Sequence, residues 1–186
     1  MARIESVYLA GPDEWYPDAA AHGSRKRALC QASGFAPLMP LEEDLFETER
    51  SEAMAREIYA ANLMRLRKAD ALIANLTPFR GASCDPGAAF ECGFMAARAK
   101  PVLAYMNVGD EDEAELRVRA LEYAGGDEDG AKWRDADGCE IEDFGLPETL
   151  MLWAEARRLY VIVTPDVLGD LTGLELCLEA LKLYAE

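Results

Sequence analysis

The sequence predicts an α/β protein, a doubly wound parallel sheet of about five strands. Three observations carry this. Short apolar runs alternate with longer segments of helical spacing. The central run, residues 70–76 (DALIANL), is apolar on both faces, as a strand in the middle of a parallel sheet must be. Gly, Pro and Asp mark most of the boundaries between runs.

Residues 4–10 (IESVYLA) read as the first strand, ended by Gly11-Pro12. Asp18 stands where a helix cap is expected, and the helix runs to about Ser33, with Leu29 and Cys30 on its inner side. Gly34 ends it, and residues 35–40 form a second short strand. Residues 42–50 are acidic and read as a loop. Residues 52–68 are helical, with Met54, Ile58, Ala61 and Met64 as the inward stripe. The third strand, 70–76, leads into a glycine-containing loop at 77–84. Asp85-Pro86 then opens a helix to about Ala99, with Asp at the N-cap and Pro in the first turn. Strands at 101–106 and 159–163 and a closing helix over 170–184 complete the order. Right-handed crossovers then give a strand order of 2-1-3-4-5, a flavodoxin-like sheet. In such a sheet ligands bind beyond the carboxyl ends of the strands. The loops there, after Ala10 and after Leu76, hold the least ordinary residue clusters of the chain.

Residues 108–148 interrupt the pattern. They are rich in Gly, Asp and Glu, with a helix expected over 111–123 and a surface excursion beyond it. The 186 residues therefore form one domain carrying an acidic excursion.

Composition narrows the function. A net charge of −16 repels phosphate polymers, so nucleic-acid binding is not expected. No apolar stretch reaches membrane-spanning length and no leader pattern precedes the first strand, which points to a cytoplasmic protein. Five scattered cysteines and one histidine, His22, fit neither a zinc site nor a disulfide framework, so no metal is expected. Carboxylates are left as the source of acid, base and nucleophile.

Glu91 is the sharpest candidate. It lies among Ala88, Ala89, Phe90, Cys92 and Phe94, and no other charged side chain follows it up to Ala97. A charge on an apolar helix is costly unless used or paired. Its place near the start of the helix favours the ionised form through the helix dipole. An ionised carboxylate at the mouth of the sheet suits covalent glycosyl transfer and general-base work alike. Asp85 is explained equally by capping. Arg80 either binds an anion or pairs with Asp70 or Asp85. Gly81 and Gly87 fit tight turns. Trp15, beyond the first strand, either stacks on a planar base or covers the core.

Three segments resemble the nucleoside 2-deoxyribosyltransferase family: VYLAGPDEWYPD (7–18), ADALIANLTPFRGASCDPGAAFECGFMAA (69–97) with KPVLAY (100–105), and EDFGLPETLML (142–152). The middle motif is the most specific. The resemblance implies that Glu91 is the nucleophile, that Tyr8 orients its carboxylate, and that Asp85 contacts the nucleobase and helps protonate it. It places Trp15, Asn62 and Thr149 at the substrate; Gly11, Asp18 and Arg80, in the loops beside them, are further candidate substrate contacts. Thr149 stands where the family commonly has an asparagine that reaches a neighbouring subunit's sugar. Glu42 stands where the family has aspartate. The implied reaction moves a 2-deoxyribosyl group from a 2'-deoxynucleoside to a free nucleobase, with no cofactor, in a dimer or larger homo-oligomer. Hydrolysis to the free sugar, and nucleoside sensing without turnover, are the competing readings.

Overall fold

The computed structural model describes residues 3–40, 50–110, 134, 137–142 and 144–185. Glu42 and most of the 108–148 excursion, including the helix expected over 111–123, lie outside these residues.

The sheet is the expected one. Strands β1 (Ser6–Ala10), β2 (Ala36–Leu38), β3 (Ala71–Asn75), β4 (Val102–Val108) and β5 (Leu159–Val163) are parallel in the order β2-β1-β3-β4-β5. Among the described residues five helices surround them: α1 (Ala19–Ala32), α2 (Glu52–Lys68), α3 (Pro86–Ala97), α4 (Leu150–Glu155) and α5 (Thr172–Ala185). A 3-10 turn, Pro12–Trp15, follows β1 directly. That turn and α4 have no counterpart in the sequence-based reading, because both are too short for periodicity to reveal.

Strand parity divides the core into two layers. Val7 and Leu9 of β1 pack with Cys30 of α1 and with Leu174, Cys177 and Leu178 of α5. Tyr8 and Ala10 face the other way, among Leu66 of α2 and Ala88, Cys92 and Met95 of α3. Tyr8 lies opposite Leu38 on β2 and Leu72 on β3. A register slip of one residue would carry Tyr8 into the layer that lacks α3.

Several local expectations are corrected. In α2, Met54 is buried but Met64 is 55% exposed. A period of 3.6 from Met54 brings Arg65 and Leu66, not Met64, round to the sheet. In α1 the inward residues are His22, Lys26 and Cys30, with Leu29 only half-buried. Asp18 occupies the N-cap position without a side-chain cap bond. β4 runs to Val108, and Glu148 is buried, so both ends of the acidic excursion belong to the folded body. All five cysteines are free thiols, with only Cys139 exposed. Among the described residues no helix is long and apolar enough to cross a membrane.

Candidate active site

The carboxyl ends of β1 and β3 meet where the chain's crossovers diverge, α1 to one face and α2 to the other. That crevice is where a doubly wound sheet binds its ligand. β1 contributes Tyr8 and the turn after it; β3 contributes the loop that leads to α3.

Tyr8 and Glu91 are 83 residues apart and meet directly. The Tyr8 hydroxyl donates to Glu91 Oε1 at 2.6 Å. This is a short, charge-assisted contact that fixes the carboxylate's orientation. Tyr8 is fully buried, and Glu91 is half-buried on the second turn of α3. Burial pushes the Glu91 carboxyl up to about 7; the Tyr8 hydrogen bond pulls it down, Glu14 and Asp85 raise it, and Lys26 lowers it. Burial thus works against the ionised form that the helix dipole was expected to favour. Glu91 is the sixth residue of α3, and the dipole's influence fades within the first turn. The Tyr8 hydroxyl is pushed far above its ordinary range, by burial first and then by the Glu91 charge and hydrogen bond, so it remains a donor.

Asp85 caps α3 as its sequence position predicts: Oδ2 accepts the Ala88 N–H at 3.1 Å. Gly87 serves this carboxylate rather than a turn, because a Cβ there would stand 2.7 Å from Asp85 Oδ2. The left-handed residue of the preceding loop is Arg80 (φ 56°), not Gly81. Arg80 makes no ion pair with Asp70 or Asp85. Its guanidinium lies over the Phe79 ring at 4.6 Å and the Trp15 ring at 5.6 Å. Asp70 is engaged elsewhere, accepting from Ser6 and the Glu5 amide beside Lys100.

Of the other expected contacts, Asn62 lies midway along α2, half-buried, and Asp18 is exposed at the start of α1. Thr149 is the N-cap residue of α4 without a side-chain cap bond. It is tied to the site's framework through its neighbour. Glu148 Oε1 accepts from Ser83 Oγ and the Thr149 amide, each at 2.8 Å, and Oε2 accepts the Cys84 amide at 3.2 Å. The end of the excursion thus clamps the residue that precedes Asp85.

Beneath the cleft lies a polar network that the sequence does not announce. Asp13 is buried, with Lys26 Nζ 2.8 Å from Oδ2, His22 Nε2 2.8 Å from Oδ1, and Asn75 Nδ2 donating to Oδ1 at 3.1 Å. An Arg25 guanidinium nitrogen sits 3.1 Å from His22 Nδ1. Arginine can only donate, which assigns the His22 proton to Nε2, facing Asp13. Burial would raise the Asp13 carboxyl, but Lys26 and the hydrogen bonds outweigh it and hold it well below the usual carboxylate range. Gly11 admits this arrangement. At φ 143°, a Cβ there would meet Asp13 Oδ2 at 2.5 Å and Asn75 Cβ at 2.7 Å. The only sequence signal is the four-residue spacing of His22, Lys26 and Cys30, one face of a helix.

Glu14, next to Asp13, also escaped the sequence reading. It keeps contact with solvent, yet enough protein surrounds it to raise its carboxyl to about 7. Lost hydration is the first cause, followed by Asp85 and Asp13, with Lys26 opposing. Glu14, Asp85 and Glu91 thus form a set of mutually repelling carboxylates. Among the described residues, no group of three or more His, Cys, Asp or Glu is arranged to hold a metal ion.

Residues 7–151 match the profile of the nucleoside 2-deoxyribosyltransferase family. A 2-desoxiribosyltransferase from Leishmania mexicana superposes with a TM-score of 0.63 at 29% identity, over 94% of this chain and 97% of that one. Uncharacterized protein C191.05c of Schizosaccharomyces pombe is 27% identical over 162 residues, 80% of this chain and 75% of its own length.

Proposed function

From the premise that this chain belongs to the nucleoside 2-deoxyribosyltransferase family, we propose that it transfers a 2-deoxyribosyl group between nucleobases through an ester on Glu91. The observation that carries this reading is the 2.6 Å hydrogen bond from Tyr8 to Glu91 at the carboxyl end of the sheet. It leaves one oriented carboxylate with its second oxygen available to a sugar.

The chemistry is double displacement with retention. A Glu91 oxygen attacks C1' as the C1'–N bond breaks, through an oxocarbenium-like state. The bond's electron pair leaves with the base, which takes up a proton. A second base then attacks the ester and returns a proton to the enzyme. A 2'-deoxy sugar favours this route because no electronegative 2'-oxygen destabilises the developing cation. Asp85, anchored as a helix cap, faces the base. Trp15, pinned by Arg80, offers it a flat surface. Gly11 shapes the floor, while Asn62, Asp18 and Thr149 complete the substrate contacts. The reaction requires no metal or organic cofactor, and the substrate is a small molecule in the cytoplasm.

A second copy of the chain fits the apolar face of α2, α3 and α4. Tyr59, Met64, Phe90, Met151 and Trp153 are each more than 40% exposed there, and the Tyr59 and Phe90 rings touch at 6.4 Å. A patch of this kind marks an interaction surface. Its position beside α3 and Thr149 suits an oligomer whose neighbouring subunit reaches the site.

The test is base exchange. Deoxyinosine with free adenine is expected to give deoxyadenosine and hypoxanthine, and a 2-deoxyribosyl adduct that disappears in Glu91→Ala. Free deoxyribose as the only sugar product assigns the hydrolase reaction instead. Unchanged turnover in Glu91→Ala sinks the mechanism.

A further inference from the structure

We propose that Glu148 is a positioning residue for Asp85: its buried carboxylate ties the loop that ends at Asp85 to the start of α4, and so fixes where the Asp85 carboxyl stands against the nucleobase. This rests on the glycosyl-transfer reading above, in which Asp85 meets the base and helps protonate it, and assigns a residue that reading leaves without a role.

The geometry begins with the cost of burying a carboxylate. Glu148 closes the 108–148 excursion and is 1% exposed. Such a group is costly unless donors surround it. Three are in place, and they come from two elements. From the loop after β3, Ser83 Oγ donates to Oε1 at 2.8 Å and the Cys84 amide donates to Oε2 at 3.2 Å. From the entry to α4, the Thr149 amide donates to Oε1 at 2.8 Å. α4 itself lies on the α3 side of the sheet, with Leu152 and Ala156 packed against the core layer that holds Ala88 and Cys92. Glu148 therefore stands between the loop and the helix, 65 residues along the chain from Ser83, and holds both.

The Cys84 amide is the bond that reaches the chemistry, because Cys84 is joined directly to Asp85. Asp85 is then held from both sides. Its side chain is fixed to α3 by the Ala88 amide, which Oδ2 accepts at 3.1 Å. Its backbone is fixed on the entering side by Glu148. Farther back the loop is open, with Arg80 and Gly81 exposed, so that end offers Asp85 little support. Without the Cys84 tie the cap would still form, but the first turn of α3 would carry Asp85 with whatever position the loop took. A misplacement of about 1 Å at a group that serves the reaction costs about 10²-fold in rate. That loss falls on substrates whose base must be protonated to leave. A base that leaves unaided escapes it.

The test is Glu148→Gln, read through a double-mutant cycle with Asp85→Asn. The amide keeps the shape of the carboxylate but turns one oxygen into a donor. With its remaining oxygen on Ser83 and Thr149, its NH2 faces the Cys84 N–H, donor against donor. Single-turnover formation of the Glu91 ester is measured with 2'-deoxyinosine and 2'-deoxyuridine, and with 7-methyl-2'-deoxyguanosine and 5-fluoro-2'-deoxyuridine, whose bases leave more readily. Glu148→Gln is expected to lose about 10²-fold with the first pair and much less with the second. In the Asp85→Asn background the same change should cost little further, because the group it positions is gone. Ser83→Ala loosens Glu148 by one donor and should show the same base dependence at smaller size; it carries the test if Glu148→Gln does not fold. A purely structural defect lowers all four substrates alike and adds in full to Asp85→Asn. In either variant, a loss that is absent, equal across the four substrates or fully additive with Asp85→Asn overturns the inference and leaves the transferase reading standing. A wild-type protein that forms the ester with none of the four overturns that reading and this inference with it.

Discussion

Glu91→Gln should make the protein more stable at pH 8 while abolishing its chemistry. Burial raises the Glu91 carboxyl from 4.5 to about 7. A group whose folded-state pKa is raised binds its proton more tightly when folded. Its contribution to stability is therefore complete below the unfolded value and is lost as pH rises through about 7. At about 1.4 kcal/mol per pH unit, ionising Glu91 in the folded protein costs about 3 kcal/mol at pH 8. Glutamine is neutral at every pH and escapes that cost, but it is a poorer acceptor for the Tyr8 hydroxyl, which takes back about 1 kcal/mol. The net expectation is a gain of about 1–2 kcal/mol at pH 8, shrinking as pH falls from about 7 and absent below pH 4.5. Urea denaturation of both proteins at pH 4, 6 and 8 measures it. A variant that is less stable at pH 8, or whose difference from wild type is the same at all three, refutes the argument that Glu91 ionises against its surroundings.

Tyr8→Phe removes the hydroxyl's hydrogen bond to the Glu91 carboxylate and keeps the ring's packing. Hydrogen bonds to charged groups are worth about 1.5–3 kcal/mol, so the acid limb of the kcat/KM profile should move up by about 1–2 pH units, with activity partly recovered above pH 8. Asp85→Asn keeps a good cap and should leave the melting temperature nearly unchanged, whereas Asp85→Ala should cost about 1 kcal/mol. Equal melting of the two variants would show that the cap seen at Ala88 contributes nothing. Gly11→Ala puts a methyl against Asp13 and Asn75 in a backbone conformation that alanine avoids. It should lower stability by about 1–3 kcal/mol, read in a denaturant titration.

The layout of the sheet is legible because β1, β3 and β4 are buried on both faces, and a two-sided strand needs an unbroken apolar run. Asp85-Pro86 likewise declares α3 in local terms alone. What stays hidden depends on partners that only the topology supplies. Asp13 lies in a stretch, GPDEWYPD, that reads as a solvated turn, and Lys26 lies in SRKR, which reads as a solvated face. Each is buried because it meets the other, with Asn75 arriving from 62 residues away. Glu91 stands out by contrast with its neighbours, but its protonation could not be read from helix position. That is set by burial, and by Tyr8 and Glu14 from the far end of the sequence. Met64 fails as a core residue for a simpler reason: an apolar side chain can lie on the outer face of a helix without breaking the pattern that predicts the helix.

The same carboxylates bear on which substrates the cleft admits. Glu14, Asp85 and Glu91 repel one another there, and Lys26, a buried cation that offsets them, is already paired with Asp13. A 2'-deoxynucleoside would enter as a neutral molecule and add no charge to these carboxylates. A 5'-phosphate brings close to two negative charges. At an effective dielectric of about 20, a unit charge about 6 Å from a carboxylate costs roughly 3 kcal/mol, and the chain's net charge of −16 adds a longer-range repulsion. Arg80 is the cation beside Trp15, and its stacking on two rings leaves its outward N–H groups as a counterweight there. Competition between deoxyadenosine and its 5'-monophosphate should therefore favour the nucleoside. The preference should narrow as salt screens the long-range part and widen in Arg80→Gln. Equal use of the two substrates at low salt would mean that the phosphate lies away from the acidic cluster, and that charge does not set the substrate class.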